Sequence, residues 1–492
     1  MKFSMRSSWW GGVLAPVLTV AVALAALTSL GGCGGGSGRH IPEELSAEER
    51  LNRLTDAYIF SFPIVVMSET QKSATNTVEI TSQKAPVNQI HHAQHLATAD
   101  FREVVTPNVD TLYSQAFIDL SFGPMIFVKP ASDRYCSAQF LDAWTNAMGI
   151  AGTGGEGADD TEQPWLLLRE DDNTTPIPEG VRVLRFTGDM GWILGRVLCL
   201  GEDDLPNLYA IQNRMKLLPL SAWLAGGEYT PPKGSYNPDY DFVPVQRVLS
   251  MKPAEFFAEA NALMAKNPPT SADAPMMKRL EAVGVVPGAS FDASALSVLG
   301  SDDASMARGW EALIERASQR MTEAGEKFYI KQGPWRYLDE PIAQFGTEYD
   351  YRAMVALRGL GANPVSAAIY ASANVDSDGQ ALTAASRYRI HFEKDALPPV
   401  KAGGFWSITA YGDDDFLIAN ELNRHCINDR SQTVLNPDGS LDLLLQPDAP
   451  EASMMANWLP TGTGGFHLFL RIYCPEPSVL NGQWSTPTIT KQ

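Results

Sequence analysis

The residues of this chain best equipped for chemistry fall into two groups. Asn108, Asp110, Tyr113, Arg134, Gln139, Asp142 and Trp144 lie within the stretch Val104 to Asn146, and Trp406, Tyr411 and Arg471 lie far downstream. Two carboxylates in one pocket can divide the roles of general acid and general base, and a tyrosine can join them. Asp110, Tyr113 and Asp142 are therefore the catalytic candidates. An arginine offers a planar fork of donors that clamps a carboxylate of the protein or orients an anionic or hydroxyl-rich ligand. Tryptophan and tyrosine platforms hold sugar or aromatic ligands without any reaction. The plain alternative is that Arg134 and Asp142 form a buried structural pair and the tryptophans are core. Other chemistries lack their motifs. There is no Gly-x-Ser-x-Gly elbow, Rossmann fingerprint or Walker loop, and His425-Cys426 is adjacent in sequence only. His91 and His95 have metal-ligand spacing on a helix but no third ligand, so neither metal nor cofactor is expected.

The elements that must position these groups read as strands. Thr111–Leu120, Met125–Val128 and Arg134–Trp144 are rich in β-branched and aromatic residues and are separated by Phe-Gly-Pro and Pro-Ala-Ser-Asp, which predicts a three-stranded meander. Period-two alternation puts Thr111, Tyr113, Gln115 and Phe117 on one side, a pocket wall, and Leu112, Ser114, Ala116 and Ile118 on the other, a core face. In the third segment Arg134, Asp142 and Trp144 share one parity, and Tyr135, Gln139 and Leu141 the other. Near the C-terminus, Phe466, Leu468, Leu470 and Ile472 give an apolar face and leave His467, Phe469, Arg471 and Tyr473 on the opposite one.

The segments Asn108-Val-Asp-Thr-Leu-Tyr113, Asp133-Arg-Tyr and Gln139-Phe-Leu-Asp-Ala-Trp-Thr-Asn146 resemble the signature of bacterial proteins with an N-terminal DUF1254 domain. Behind it, Phe405-Trp-Ser-Ile-Thr-Ala-Tyr411, Asp429-Arg430, Asn436-Pro-Asp-Gly-Ser440, Asn457-Trp-Leu-Pro460 and Arg471-Ile-Tyr473 resemble the DUF1214 domain that follows in that family. The two cover nearly all of the chain after residue 50, in the family's order. The resemblance implies a two-domain envelope protein, and it assigns no activity. Cys426 and Cys474 stand where the family pattern asks for no cysteine, which suggests a bridge between them, with Cys136 and Cys199 as a second pair.

Lys2, Arg6 and the short apolar run Val13–Leu27 form a signal peptide over 1–32, too short to span a bilayer comfortably. Leu30-Gly-Gly-Cys33 resembles a lipobox, so Cys33 is expected to carry a lipid, palmitate included, at the head of a 33–42 tether. The protein would then face the periplasm from the outer membrane. With 38 basic against 57 acidic residues and a net charge of −19, the chain is unsuited to nucleic acid. Ser46 and Glu49 form a capping box ahead of an amphipathic helix that Pro63 should end or kink. Lys252–Lys266 and Ala304–Ile330 are long helical patterns, the second with a stripe of Trp310, Leu313, Ile314, Ala317 and Met321. The strand candidates Ser386–Phe392, Gly404–Tyr411, Leu441–Gln446 and Phe466–Tyr473 follow, and Asn436-Pro-Asp-Gly439 reads as a hairpin turn. The expected fold is α+β. A DUF1254-like domain (43–230) and a DUF1214-like β-domain (333–492), both mostly antiparallel and sandwich- or jelly-roll-like, are joined by a linker and helical insert (231–332). Two functions fit: a lipoprotein binding a small organic or carbohydrate-like ligand between its β-domains, or a metal-independent hydrolase or lyase using the same pocket.

Overall fold

The computed structural model describes residues 45–102, 105–156 and 161–492. The signal segment, Cys33 and the whole 33–42 tether lie outside the described residues. No described helix is long and apolar enough to cross a membrane.

The fold is α+β, with four mostly antiparallel sheets in two pairs. In the first domain a five-stranded sheet runs in the order His91–His92, Thr111–Asp119, Met190–Leu198, Cys136–Asp142, Ala147–Gly152. A four-stranded sheet, Arg182–Phe186, Gln163–Arg169, Met125–Lys129, Lys216–Pro219, packs on one face of it. Their shared core interdigitates Ala116, Ile118, Phe140 and Ile193 with Met125, Phe127, Trp165 and Leu167. The expected meander is not what forms. Every residue of Met125–Lys129 is buried, so that strand leaves its sequence neighbours for the interior of the other sheet. Met190–Leu198 takes its place and pairs with both Thr111–Asp119 and Cys136–Asp142.

In the second domain the order is Tyr329–Gln332, Trp335–Leu338, Ala368–Ala373, Phe466–Pro475, Val400–Gly412, Cys426–Asn428. Behind it lies a sheet of Trp458–Pro460, Leu441–Gln446, Tyr388–Phe392 and Thr488–Lys491. Trp406, Ile408, Leu468 and Leu470 meet Ile390, Leu443 and Leu445 in the core between them. The Asn436-Pro-Asp-Gly439 turn forms, with Gly439 at φ 89°, but its flanking strands belong to different sheets, so it is no hairpin.

A helical layer closes one side. The helix Ala47–Ala74 starts at Ser46, whose hydroxyl accepts the Glu49 amide, and runs straight through Pro63. The missing hydrogen bond costs about 3 kcal/mol. Burial of Ile59, Phe60, Phe62, Ile64, Val65, Val66 and Met67 on the same helix outweighs it, at roughly 1.5–3 kcal/mol per large apolar side chain. The helices Pro253–Lys266, Asp303–Lys327 and Tyr349–Arg358 pack around it. Trp310, Leu313, Ala317 and Met321 form the buried stripe expected of the long helix. His91 and His92 lie on a strand rather than a helix, with His92 Nδ1 2.8 Å from Ser114 Oγ.

Candidate functional site

Each domain turns one sheet face toward the other domain, and both faces are polar. On the first, alternation presents Tyr113 and Gln115. Arg196 sits across from both Tyr113 and Ser137 on the neighbouring strands, with Gln139 beyond. On the second, Ser407, Thr409 and Tyr411 pair in register with Arg471, Phe469 and His467, and Tyr370 lies opposite Arg471. Tyr135 closes one edge, its ring 5.3 Å from Tyr473 and 5.2 Å from Phe405. Tyr113, Gln115, Asn108, Tyr370, Phe469 and Cys426 are only half-buried although they lie at the domain boundary.

The segment Thr106 to Tyr113 docks the first domain onto the second. Asn108 donates to the Tyr473 hydroxyl at 2.9 Å and lies 3.4 Å from that of Tyr113, while its Oδ1 accepts the Asp110 amide at 2.7 Å. The Asp110 carboxylate is fully buried. It accepts Arg430 at 2.8 Å through one oxygen and Ser407 through the other. Tyr411 donates to the Pro107 carbonyl at 2.7 Å, and Arg471 to the Thr106 carbonyl at 3.0 Å. Asp110 is thus an inter-domain clamp.

Two arginines line the cleft. Arg196, 3% exposed, donates to Gln139 Oε1 at 3.1 Å, Asn363 Oδ1 at 3.2 Å and the Gly361 carbonyl at 3.1 Å. Gly361 holds φ at 83°, and a Cβ there would come within about 3 Å of Leu194 and Trp192, so only glycine brings that carbonyl in. Arg471, 4% exposed, donates to Thr409 Oγ1, the Thr106 carbonyl and the Tyr411 hydroxyl at 3.1, 3.0 and 2.8 Å. The Arg196 guanidinium lies 5.5 Å from the centre of the Tyr113 ring. Burial alone would push the Tyr113 phenol up; Arg196 above all, with Asn108 and Arg471, overcomes this and holds it below its ordinary value. Burial keeps Tyr473 well above its own, and pushes Tyr411 up to about 12. Tyr113 is therefore the cleft tyrosine that gives up its proton most readily.

The sequence candidates divide accordingly. Asn108, Asp110, Tyr113, Gln139, Tyr411 and Arg471 come together at the inter-domain face. Four others do not. Arg134 pairs with Asp133 and Asp204 rather than Asp142. Asp142 accepts the Trp144 and Asn146 amides, both at 2.8 Å, within its own turn, and burial raises its pKa. Trp144 packs against Phe60 under the helical layer and donates to the Asn267 carbonyl. Trp406 points into the second sandwich against Phe392. Asp110 and Asp142 therefore make no acid–base pair. Neither expected disulfide forms: Cys136 is not bonded to Cys199, nor Cys426 to Cys474. Cys426 pairs with Thr409, and Tyr473 pairs with Phe405 four residues along the same strand. At about 3.3 Å per residue that separation exceeds bridging range. Cys136 faces Val197, two residues from Cys199, a diagonal of roughly 7–8 Å.

Arg196, Tyr370, Asn363, Ser407 and Arg430 were missed. Arg196 had a signal, as the one charge in the apolar run Met190–Leu198. Arg430 sat within a quoted motif. Nothing local marked Tyr370 or Asn363.

Fold and site together define a protein of two β-sandwiches that share a polar, aromatic-walled cleft. Residues 87–219 match the family model described as "Protein of unknown function (DUF1254)" and residues 367–477 the one described as "Protein of unknown function (DUF1214)". The chain belongs to the family that carries the two in this order. Among solved structures it is similar to the VPA0106 protein from Vibrio parahaemolyticus, at 20% identity and a TM-score of 0.65 over 90% of this chain and 100% of that one, a likeness of fold. An uncharacterised protein from Burkholderia cenocepacia is similar at 11% identity and a TM-score of 0.40, covering 91% of this chain and 94% of that one. Comparison with proteins of curated function finds no match.

Proposed function

We propose that this protein binds a small organic ligand in the cleft between its two β-domains. One observation carries the reading. Tyr113, Asn108, Gln115, Tyr370 and Phe469 keep open surface on two polar sheet faces that meet across the domain boundary, and packing alone would favour an apolar, sealed interface. The test is ligand profiling of the mature protein with metals chelated, by mass spectrometry of molecules that co-purify and by thermal shift with a small-molecule panel. The expected result is a ligand whose affinity drops at least tenfold in Asn108→Ala and Tyr370→Ala. A panel that moves neither wild type nor variants would remove the reading.

Tyr113 favours a second reading, a metal-independent hydrolase or lyase in the same cleft. A phenol beside a guanidinium, its proton held less tightly than usual, is a candidate general base. In that case Tyr113→Phe keeps the ligand and loses turnover.

We further propose that the protein sits in the cell envelope, held through a lipid on Cys33, on the support of Leu30-Gly-Gly-Cys33 and the apolar run before it. Cys33→Ser is expected to release the protein or leave it unprocessed, because one acyl chain contributes about 0.8 kcal/mol per buried CH₂. Sedimentation of that variant with membranes after a high-salt wash would count against the anchor.

A further inference from the structure

The charge of the cleft does not balance. Arg196 and Arg471 are both buried, and every hydrogen bond that either makes goes to a neutral group: Gln139, Asn363 and the Gly361 carbonyl for one, Thr409, Tyr411 and the Thr106 carbonyl for the other. Neither has a carboxylate within ion-pair distance among the described residues. The carboxylate of this layer, Asp110, is already engaged by Arg430 at 2.8 Å and by Ser407. Arg430 also meets Asp429 at 2.6 Å, so that group carries one negative charge against the two cations Arg196 and Arg471. This happens inside a chain of net charge −19, where acidic partners are abundant. Elsewhere the fold supplies them readily, as for Arg320, which meets both Asp56 and Asp350 at 2.7 and 2.9 Å. A cation buried without an ion-pair partner carries a large desolvation debt, which an anion bound beside it would relieve.

Both guanidiniums act on the same two hydroxyls, those of Tyr113 and Tyr473. Asn108 Nδ2 reaches both, at 3.4 and 2.9 Å. The same groups border the rings: Arg196 lies 5.5 Å from the centre of the Tyr113 ring and Arg471 5.3 Å from that of Phe469, and the Tyr370 and Tyr473 rings are 6.0 Å apart. Cations at the centre call for an anionic head, and the aromatic wall calls for an organic body.

We infer that the ligand of the inter-domain cleft is a small organic acid whose carboxylate lies between Arg196 and Arg471, with its body against the tyrosine and phenylalanine rings. This deepens the binding reading above and rests on it. The Tyr113 hydroxyl stands beside this position, 3.4 Å from Asn108 Nδ2, as a hydrogen-bond donor to the carboxylate.

The test compares matched acids and amides on the mature protein: benzoate with benzamide, cinnamate with cinnamamide, hexanoate with hexanamide. Thermal midpoint is read against concentration. Acids are expected to raise the midpoint, their amides to do so at least tenfold more weakly, and Arg196→Met and Arg471→Met to weaken the acids at least tenfold. In the absence of ligand, each Arg→Met variant should melt close to wild type, because removal of a buried cation offsets the hydrogen bonds it strands. Acids and amides acting equally would overturn the anionic head and leave the cleft as a binding site. An Arg→Met variant that melts far below wild type without ligand would make these arginines scaffold and overturn the inference. No response to any compound would overturn both the inference and the binding reading.

Discussion

At the scale of single residues, burial has fixed what Asp110 can do. Its carboxylate joins Ser407 and Arg430 of the second domain to the docking segment of the first, so replacing it leaves the Ser407 hydroxyl without its acceptor and Arg430 with Asp429 alone. Asp110→Asn is expected to lower stability by about 2–4 kcal/mol, and Arg430→Met in that background to add little. Chemical denaturation of the two single variants and the double variant checks this, and full additivity would deny the pair. Asp415 and His467 make a second residue-scale case, with the His467 Nε2 3.6 Å from an Asp415 oxygen. Burial raises Asp415 from 3.8 to about 6, so the folded state holds its proton more tightly and stability falls as pH rises through that window. Burial lowers His467 from 6.5 to about 4, so the unfolded state takes up the proton first and stability rises over nearly the same window. Each shift corresponds to roughly 3 kcal/mol at most, and the two oppose. The contributions of this pair should therefore nearly cancel from about pH 4 to 6.5, while His92, which burial lowers from 6.5 to about 4, adds a rise of its own. Relative to wild type, Asp415→Asn should steepen the rise and His467→Asn should flatten or reverse it, read from melts across that range. Parallel slopes in the two variants would contradict this.

At the scale of elements, intrinsic propensity and packing part company in the helix Asp303–Lys327. Glycine inside a helix costs about 1 kcal/mol relative to alanine, so both Gly309 and Gly325 look improvable. A Cβ at Gly309, however, would lie 2.1 Å from the Leu299 carbonyl oxygen, which is backbone and cannot step aside. At Gly325 the nearest atom is the Met354 methyl at 3.0 Å, the end of a flexible chain. Gly309→Ala is expected to destabilise by 1 kcal/mol or more and Gly325→Ala to be neutral or stabilising by up to about 1 kcal/mol. Equal effects in denaturant titrations would mean that this packing does not discriminate them. The helix Ala47–Ala74 teaches the same lesson through Pro63: a local rule with a definite penalty yields to the burial of a whole helix face.

At the scale of the molecule, the two domains share too much to unfold separately. One continuous apolar core runs from Trp144 and Trp192 of the first domain through the helical layer to Ile408 and Leu470 of the second. The docking segment adds Asn108 to Tyr473 and Pro107 to Tyr411. A single calorimetric transition is therefore expected, with calorimetric and van't Hoff enthalpies in agreement. Two resolved transitions would show that the cleft is a hinge between independent units, and ligand binding would then be coupled to domain closure.

The sequence by itself determined what is periodic or local. Two-residue alternation assigned Tyr113 and Gln115, and later Arg471 and Tyr473, to the faces that meet, because side-chain direction along a strand needs no knowledge of its partners. The helix cap at Ser46, the buried stripe from Trp310 to Met321 and the family signatures are local in the same sense. Only the tertiary structure decided who meets whom. The middle strand of the supposed meander joined another sheet, and Met190–Leu198 brought Arg196 beside Tyr113. Asp142 was satisfied by amides two and four residues away and Arg134 by Asp204, and neither expected cysteine pair was brought together. The reason is physical: strand order and inter-domain docking are settled by which buried faces and polar groups can be satisfied together, and that condition is met by residues far apart in the chain.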